Sequence, residues 1–179
     1  PLEVLFELPN QKCNARCSYC YYFELNKQYK NCVNNKNMPI LLWNRIEPYI
    51  DKFNSLNISG GEPFANDFIK NLYEKLLKQS KRPQLEIYTN GTLLDNPWIK
   101  KLTDNFSLVL FSINAINSDT YQKITRLNSK YFYAALDNLN KILELRRNKK
   151  SPYVMVNFVI NNINYKQIPD YAKYMDSIG

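Results

Sequence analysis

The chain has 179 residues, 45% of them apolar, and 24 Lys and Arg against 16 Asp and Glu give it a formal net charge of +8. This length suits one compact domain with a sizeable core. No apolar run reaches the roughly 18 residues of a membrane-spanning helix, and four cysteines are too few for a secreted disulfide scaffold. We therefore expect a folded, non-membrane protein of the reducing cytoplasm.

Short apolar runs alternate with amphipathic segments along the whole chain. Strands are predicted over 2–8, 56–59, 85–88, 108–113 and 153–160. Apolar residues at helical spacing predict helices over 39–53, 68–77, 118–125, 130–148 and 166–178, and Asp95-Asn96-Pro97 begins another. Strands that alternate with helices predict parallel βα units with right-handed crossovers. The pattern alone fits either a doubly wound sheet or part of a (β/α) barrel.

Unusual residues follow the end of each predicted strand. The first strand precedes a cysteine-rich loop, and the others end at "SGGEP" (59–63), "TNG" (89–91), "SIN" (112–114) and "NNIN" (161–164). Because the carboxyl ends of parallel strands share one rim, and α/β proteins bind ligands there, these five segments predict one common site. Taken singly, each segment is also typical of an ordinary turn or cap.

The cysteine-rich loop indicates a metal site. Cys13, Cys17 and Cys20 follow a C-x3-C-x2-C spacing, and the chain has no histidine. Structural zinc needs four ligands, and Cys32 could be the fourth, but its polar flanks "KNCVNNK" carry no pattern. An iron–sulfur cluster normally takes four cysteines. Three would leave one iron open to a small molecule, so a cluster with an exchangeable ligand is the preferred interpretation.

The motifs at this point resemble the radical SAM family. The resemblance lies in "CNARCSYC" (13–20), "SGGEP" (59–63), "SINAINSDTYQKITR" (112–126) and "NFVINNINYKQIP" (157–169), and it extends over nearly all of the chain. The last two segments are similar to the branch that carries a C-terminal SPASM extension. The resemblance implies an α/β fold with a parallel sheet, a partial (β/α)6 TIM-like barrel made of the first five βα units.

The resemblance also implies two cofactors. A [4Fe-4S] cluster would be held by three cysteines, and S-adenosylmethionine (SAM) would chelate the fourth iron through its amino and carboxylate groups. The implied reaction is reductive cleavage of SAM to a 5′-deoxyadenosyl radical that abstracts hydrogen from a substrate. The implied cluster ligands are Cys13, Cys17 and Cys20.

Further residues are implied to contact SAM. The segment Gly60, Gly61, Glu62 and Pro63 would bind its amino group, since glycine lets the backbone come close and a carboxylate accepts from a cation. Tyr19 would lie near the adenine.

Three positions farther along the chain complete the implied SAM site. Ser112 would face the ribose or the methionine part, Arg126 would pair with a carboxylate, and Asn164 would lie near the cofactor at the fifth strand. The family often has Asp where this chain has Asn114, which weakens a ribose contact there.

Substrate and partners follow from the same resemblance. We expect a peptide or protein substrate, or a small molecule, and an electron donor such as flavodoxin or ferredoxin. The net charge of +8 leaves tRNA or nucleoside modification as an alternative, although the densest basic run, 146–150, is typical of a solvated helix end. A zinc-stabilised binding module is the alternative outside the enzymes.

The family pattern finally sets an expectation about extent. Relatives continue with a sixth strand, and the SPASM branch adds a cysteine-rich domain with further clusters. We therefore expect residues 1–179 to be the core domain of a longer polypeptide, interrupted before the sixth strand.

Overall fold

A computed structural model describes residues 2–7, 12–21 and 38–179, the last range with side chains from residue 40. The strands are β1 (Glu3–Glu7), β2 (Ser55–Ser59), β3 (Gln84–Thr89), β4 (Phe106–Ser112) and β5 (Tyr153–Asn157). The helices are α1 (Met38–Ile46), α2 (Asp67–Leu77), α3 (Asn96–Asn105), α4 (Ser118–Thr125), α5 (Ser129–Arg146) and α6 (Ile168–Ile178). Short 3-10 turns cover Glu47–Lys52, Pro63–Ala65 and Tyr165–Gln167. Within these ranges, no helix combines the length and apolarity needed to cross a bilayer.

The five strands form one parallel sheet in the order β1-β2-β3-β4-β5. A doubly wound sheet reverses its strand order at a switch point, whereas a barrel keeps sequential order. The observed order confirms the predicted arc of a (β/α) barrel, with five βα units on a parallel sheet. All five strand ends therefore lie on one rim.

The side of the sheet covered by helices, here called the outer face, holds the core. Six residues that alternate along β2, β3 and β4 are fully inaccessible to solvent: Leu56, Ile58, Leu85, Ile87, Val109 and Phe111. They pack with apolar residues of the helices, such as Leu72, Leu102 and Leu139. Burying one such side chain contributes about 1.5–3 kcal/mol. The intervening strand residues point to the opposite side, here called the inner face.

Two predicted boundaries were wrong. The helix predicted over 39–53 ends at Ile46 and continues as a 3-10 turn with Pro48 in its first positions, because proline has no N–H to continue an α-helix. The strand predicted over 153–160 ends at Asn157, and the Val159 N–H donates to the Asn114 side chain (2.6 Å) instead of a neighbouring strand.

Asparagine and aspartate begin four of the helices. Side chains of Asn66, Asp95, Asn117 and Asn128 accept from backbone N–H groups at the starts of α2, α3, α4 and α5. These residues are favoured at N-caps because a short polar side chain satisfies an otherwise unpaired donor. The caps fix where each strand-end loop turns into its helix.

Candidate active site at the strand ends

A cavity of about 220 Å³ opens at the strand-end rim. Its lining comes from four of the five predicted strand-end segments, those at and after the ends of β1, β2, β3 and β4, whereas no residue of the fifth segment, 161–164, lines it. Eight of the predicted site residues line it: Cys13, Cys17, Tyr19, Cys20, Gly60, Gly61, Glu62 and Ser112. The structure therefore brings the three thiols and the GGE segment to one place.

The cysteine loop is anchored to the end of α4. The N–H groups of Arg16 and Ser18 donate to the carbonyls of Thr125 (2.9 Å) and Ile124 (2.8 Å). A helix leaves its last carbonyls without partners inside the helix. Here the loop supplies those partners, so α4 fixes the loop that carries the thiols.

The same loop is joined to the turn after β3 by side-chain amides. The Asn90 amide donates to the Asn14 oxygen (2.9 Å), and the Asn14 amide donates to the Thr92 hydroxyl (2.9 Å). That hydroxyl in turn donates to the Asn90 oxygen (2.6 Å). This closed ring of hydrogen bonds holds Asn14, which lies between two of the cysteines, at a fixed position.

Gly91, in the turn after β3, can be nothing but glycine without rearrangement. Its φ is +74°, and a Cβ there would lie 2.6 Å from a ring carbon of Phe111. Only glycine adopts such a φ at low cost. The backbone of the turn therefore packs directly on the core.

Glu62 is buried and ties the GGE segment to the turn after β3. One oxygen accepts from the Thr89 hydroxyl (2.7 Å) and the Phe64 N–H (3.2 Å), and the other accepts from the Asn90 N–H (2.7 Å). The second oxygen keeps an acceptor position, and no ion pair to Glu62 occurs among the described residues. Gly60 and Gly61 precede it with φ of 122° and 75°, which brings backbone to the cavity wall.

Tyr19 and two buried asparagines connect the loop to the ends of β4 and β5. The Asn114 amide donates to the Tyr19 hydroxyl (2.5 Å), and the Asn114 side-chain oxygen accepts from Val159. The Asn164 amide donates to the carbonyls of Asn114 (3.0 Å) and Val159 (2.9 Å). All five strand ends thus belong to one hydrogen-bonded rim.

Comparison of the sequence with known protein families identifies the family to which the chain belongs. The sequence profile described as the Radical SAM superfamily matches residues 8–175. The chain belongs to the radical SAM superfamily. Its enzymes use a [4Fe-4S] cluster and SAM, so the predicted family and cofactors are confirmed.

Individual radical SAM relatives cover the same region. A probable GTP 3',8-cyclase of Methanocaldococcus jannaschii is 25% identical over 168 residues, which are 94% of this chain and 53% of that protein. A cysteine-type anaerobic sulfatase-maturating enzyme of Clostridium perfringens is 30% identical over 151 residues, or 79% of this chain and 39% of the relative. The structure of Streptococcus suis SuiB bound to S-adenosylmethionine gives a TM-score of 0.74 at 19% identity, over 99% of this chain and 38% of that chain. The chain spans about half the length of the first relative and less of the others.

The electrostatics of the thiols fit a cationic cluster. Burial, as the largest cause, raises the pKa of Cys13 to about 12 and that of Cys17 to about 11, and in Cys17 a hydrogen bond with Tyr19 lowers it in part. Cys13 is exposed as a residue and lines the cavity. Thiols in such surroundings bind metal by exchanging their protons for a cation. The three thiols are free of disulfides, as such ligands must be.

A single-ion site and a four-iron cluster differ in how far apart their ligands lie. Among the described residues, no three Cys, Asp or Glu side chains are grouped closely enough to hold one metal ion. In a four-iron cluster each cysteine binds a different iron atom, so the ligands are farther apart than those of one zinc ion. Cys32, the fourth thiol of the zinc alternative, lies outside the described residues.

One buried hydroxyl near the thiols makes no hydrogen bond of normal geometry within the part of the chain that the structure describes. Tyr121 on α4 is inaccessible to solvent, and the Thr125 side chain lies close enough to its hydroxyl to lower its pKa in part. Burial raises its pKa, and the charges of Cys17, Glu62 and Cys13 raise it further, which places the hydroxyl near all three groups. An unpaired buried hydroxyl costs stability unless a ligand satisfies it. The residues present therefore fit an additional polar group at this site.

Three predicted site residues do not line the cavity. Pro63 is buried in the 3-10 turn behind Glu62, and Asn164 is fully buried in the rim network. Arg126 is exposed at the end of α4, with a φ of 60° that is unusual for a residue other than glycine. The role proposed for each toward SAM stays a prediction.

Several residues of the rim were missed as site residues. The turn after β3 was recognised only as a strand end, yet Thr89 and Asn90 line the cavity and bind Glu62. Asn114 lines it as well. Their signal in the sequence is only a short polar residue immediately after a buried strand, which is also typical of ordinary turns.

Proposed function

We propose that the protein is a radical SAM enzyme that modifies a peptide or protein. When bound, the cluster supplies the electron that cleaves SAM to methionine and a 5′-deoxyadenosyl radical, which removes a hydrogen atom from the substrate. The observation that carries the proposal is the single cavity that holds the three thiols, both glycines and Glu62. No described residue needs to move across the rim to bring these groups together.

The residues of the chain would divide the work as follows. Cys13, Cys17 and Cys20 would hold the cluster, and the Tyr19 hydroxyl would stabilise the Cys17 thiolate. The free acceptor position of Glu62 would bind the SAM amino group. Burial raises the pKa of this carboxyl to about 7, and a cationic amino group beside it would favour the ionised form.

The rim is also suited to holding SAM rigidly. Glu62 is held by Thr89, Asn90 and Phe64 before any ligand arrives, so its carboxylate loses little freedom on binding. Ser112 lines the cavity at the end of β4, where it would face the ribose or methionine part.

The charges of the inner face favour a peptide over a nucleotide. Inner-face strand positions are occupied by Glu3, Leu5, Glu7, Ser55, Asn57, Ser59, Gln84, Glu86, Tyr88, Leu108, Leu110, Ser112, Tyr153, Met155 and Asn157. None of these described positions holds Lys or Arg, the residues that bind phosphate groups. The name of one relative refers to GTP and that of another to maturation of a sulfatase. The lack of Lys and Arg at the described inner-face positions supports a peptide or protein substrate, as in sulfatase maturation, over a nucleotide.

The test is anaerobic reconstitution with iron and sulfide, followed by SAM and dithionite. We expect brown protein with visible charge-transfer absorption and formation of 5′-deoxyadenosine. Peptides should stimulate that formation more than GTP or tRNA does. Metal analysis that finds only zinc, or a cluster-loaded protein that never cleaves SAM, would exclude the proposed reaction. Stimulation by nucleotides alone would keep the reaction and change the substrate.

A further inference from the structure

Asn57 is a buried polar residue whose side chain has no hydrogen-bond partner in the part of the chain that the structure describes. It lies on β2 between Leu56 and Ile58, which are inaccessible and face the helices, so its own side chain faces inward. Asn57 is 2% exposed, and neither its amide nitrogen nor its side-chain oxygen makes a hydrogen bond to a described residue. Leaving such a group unpaired costs stability, and most buried polar groups in proteins are satisfied. Asn57 therefore calls for a ligand.

Glu86 lies beside Asn57 in the sheet. The two residues are paired in the β2–β3 register, and Leu108 of β4 pairs with Glu86 on its other side. Glu86 is half-buried, and its carboxylate makes no hydrogen bond or ion pair within the part of the chain described. Glu3 lies on the same face, since both Glu86 and Glu3 contribute to raising the pKa of Tyr88, after burial.

The pair lies directly beneath the candidate SAM cavity. Ser59 and Tyr88, two residues farther along β2 and β3, line that cavity. Two strand residues span about 6–7 Å. A group bound at Asn57 and Glu86 would therefore belong to a molecule whose other atoms reach the reactive end of the cavity.

We propose that Asn57 and Glu86 form a subsite for a cationic side chain of the substrate, the ammonium or guanidinium group of a Lys or Arg residue in a peptide. The carboxylate supplies the opposite charge, and the Asn57 oxygen supplies a second acceptor for a group that has three or more N–H donors. The absence of Lys and Arg from the described inner-face strand positions leaves the carboxylate for the substrate. This subsite rests on the proposed function.

The test uses three peptides, acetyl-Ala-Xaa-Ala-amide with lysine, norleucine or glutamate at the centre, and the full polypeptide with cluster and SAM. Dissociation constants are measured by ligand-observed NMR at low salt. We expect the lysine peptide to bind at least tenfold more tightly than the norleucine peptide, and the glutamate peptide to bind most weakly. In Glu86→Gln the preference for lysine should fall to about twofold or less. The matched control Glu144→Gln, an exposed carboxylate on α5, should keep it.

Asn57→Leu separates a ligand role from a structural role. Because it removes two unpaired buried polar atoms, it should raise the Tm of the protein without peptide by a few degrees, while it lowers the preference for lysine. A lower Tm would mean that Asn57 serves the fold. An equal affinity of the unaltered protein for lysine and norleucine peptides, or an unchanged preference in Glu86→Gln, would overturn the subsite.

The proposed function is tested by a separate measurement, the amount of 5′-deoxyadenosine that the unaltered protein forms without peptide. Formation without any preference for lysine would overturn the subsite alone. A preference for lysine without any SAM cleavage would keep the subsite and overturn the proposed reaction.

Discussion

The outer and inner faces of the sheet are made by the same strands and have opposite character. On the outer face, Leu85 and Ile87 are inaccessible and packed against helices. On the inner face, one residue away, Glu86 makes no hydrogen bond or ion pair with any described side chain, and Asn57 leaves two polar atoms unpaired there. Natural proteins break the rules of packing and polar satisfaction mainly where they function. The outer face thus stabilises the fold, whereas the inner face and its rim hold the unpaired polar groups that lower stability and can bind a ligand.

The largest effect is expected at the rim. Replacing any one of Cys13, Cys17 and Cys20 with Ala should remove most of the bound iron, because three thiolates are the minimum set for the cluster. Iron per protein and visible absorption after reconstitution measure it. Ser18→Ala, in the same loop but contributing a backbone bond, should keep the iron. So should Cys32→Ala, and equal loss there would contradict the three-ligand assignment.

The outer face should respond in stability. Ile87→Ala removes a fully buried side chain and should lower the free energy of unfolding by about 2–5 kcal/mol, measured by urea denaturation of the protein without cofactors. Leu110→Ala on the partly exposed inner face should cost clearly less. Equal losses of unfolding free energy in the two variants would mean that both faces contribute equally to the core, and the proposed difference between the faces would be wrong.

Glu62 lies where the two regions meet, so its replacement should mainly affect ligand binding. Glu62→Gln removes the charge that would meet the SAM amino group, and charge-assisted hydrogen bonds contribute roughly 1.5–3 kcal/mol. SAM affinity should fall by about tenfold or more in calorimetry of the cluster-loaded protein, while bound iron is unchanged. The control Glu144→Gln should bind SAM normally. Unchanged affinity in Glu62→Gln would exclude the assigned contact.

The contrast between faces also explains what the sequence could predict. Periodicity placed the strands and helices within a few residues, because the outer face is built from apolar residues that repeat with the period of their element. The two wrong boundaries depended on single residues or bonds. Pro48 ended the helix predicted over 39–53, and the hydrogen bond from the Val159 N–H to Asn114 followed the early end of β5. The strand order could be assigned only from the structure or from the family resemblance, because a doubly wound sheet and a (β/α) barrel show the same alternation of strands and helices along the sequence.

For the site, the sequence supplied the motifs and the structure supplied their connections. The cysteine spacing and "SGGEP" carried enough chemistry to be recognised. The bonds of Asn14 with Asn90 and Thr92 join residues 76 or more positions apart, and no local pattern predicts them. Asn57 was counted only as part of a buried strand, and its unpaired amide is visible only in three dimensions.

The smallest effect is expected at Tyr121, whose unpaired hydroxyl lies near the thiols. Without cofactors, Tyr121→Phe removes no hydrogen bond of normal geometry among the described residues, only a weak contact with Thr125, and should change the free energy of unfolding by less than about 1 kcal/mol, or raise it. In the cluster-loaded protein the hydroxyl would donate to a sulfur atom, so the same change should cost about 0.5–1.5 kcal/mol.

Tyr73→Phe is the matched control for Tyr121→Phe. The Tyr73 hydroxyl accepts from the Ile58 N–H (2.8 Å) and donates to the Glu86 carbonyl (2.7 Å), so its removal should destabilise both forms equally. Hydrogen bonds to sulfur also raise the reduction potential of a cluster, and Tyr121→Phe should therefore shift the midpoint to a more negative value in an EPR-monitored titration. If Tyr121→Phe destabilised the cofactor-free and the cluster-loaded protein equally and left the midpoint potential unchanged, the hydroxyl would contribute to the stability of the core and would not contact the cluster.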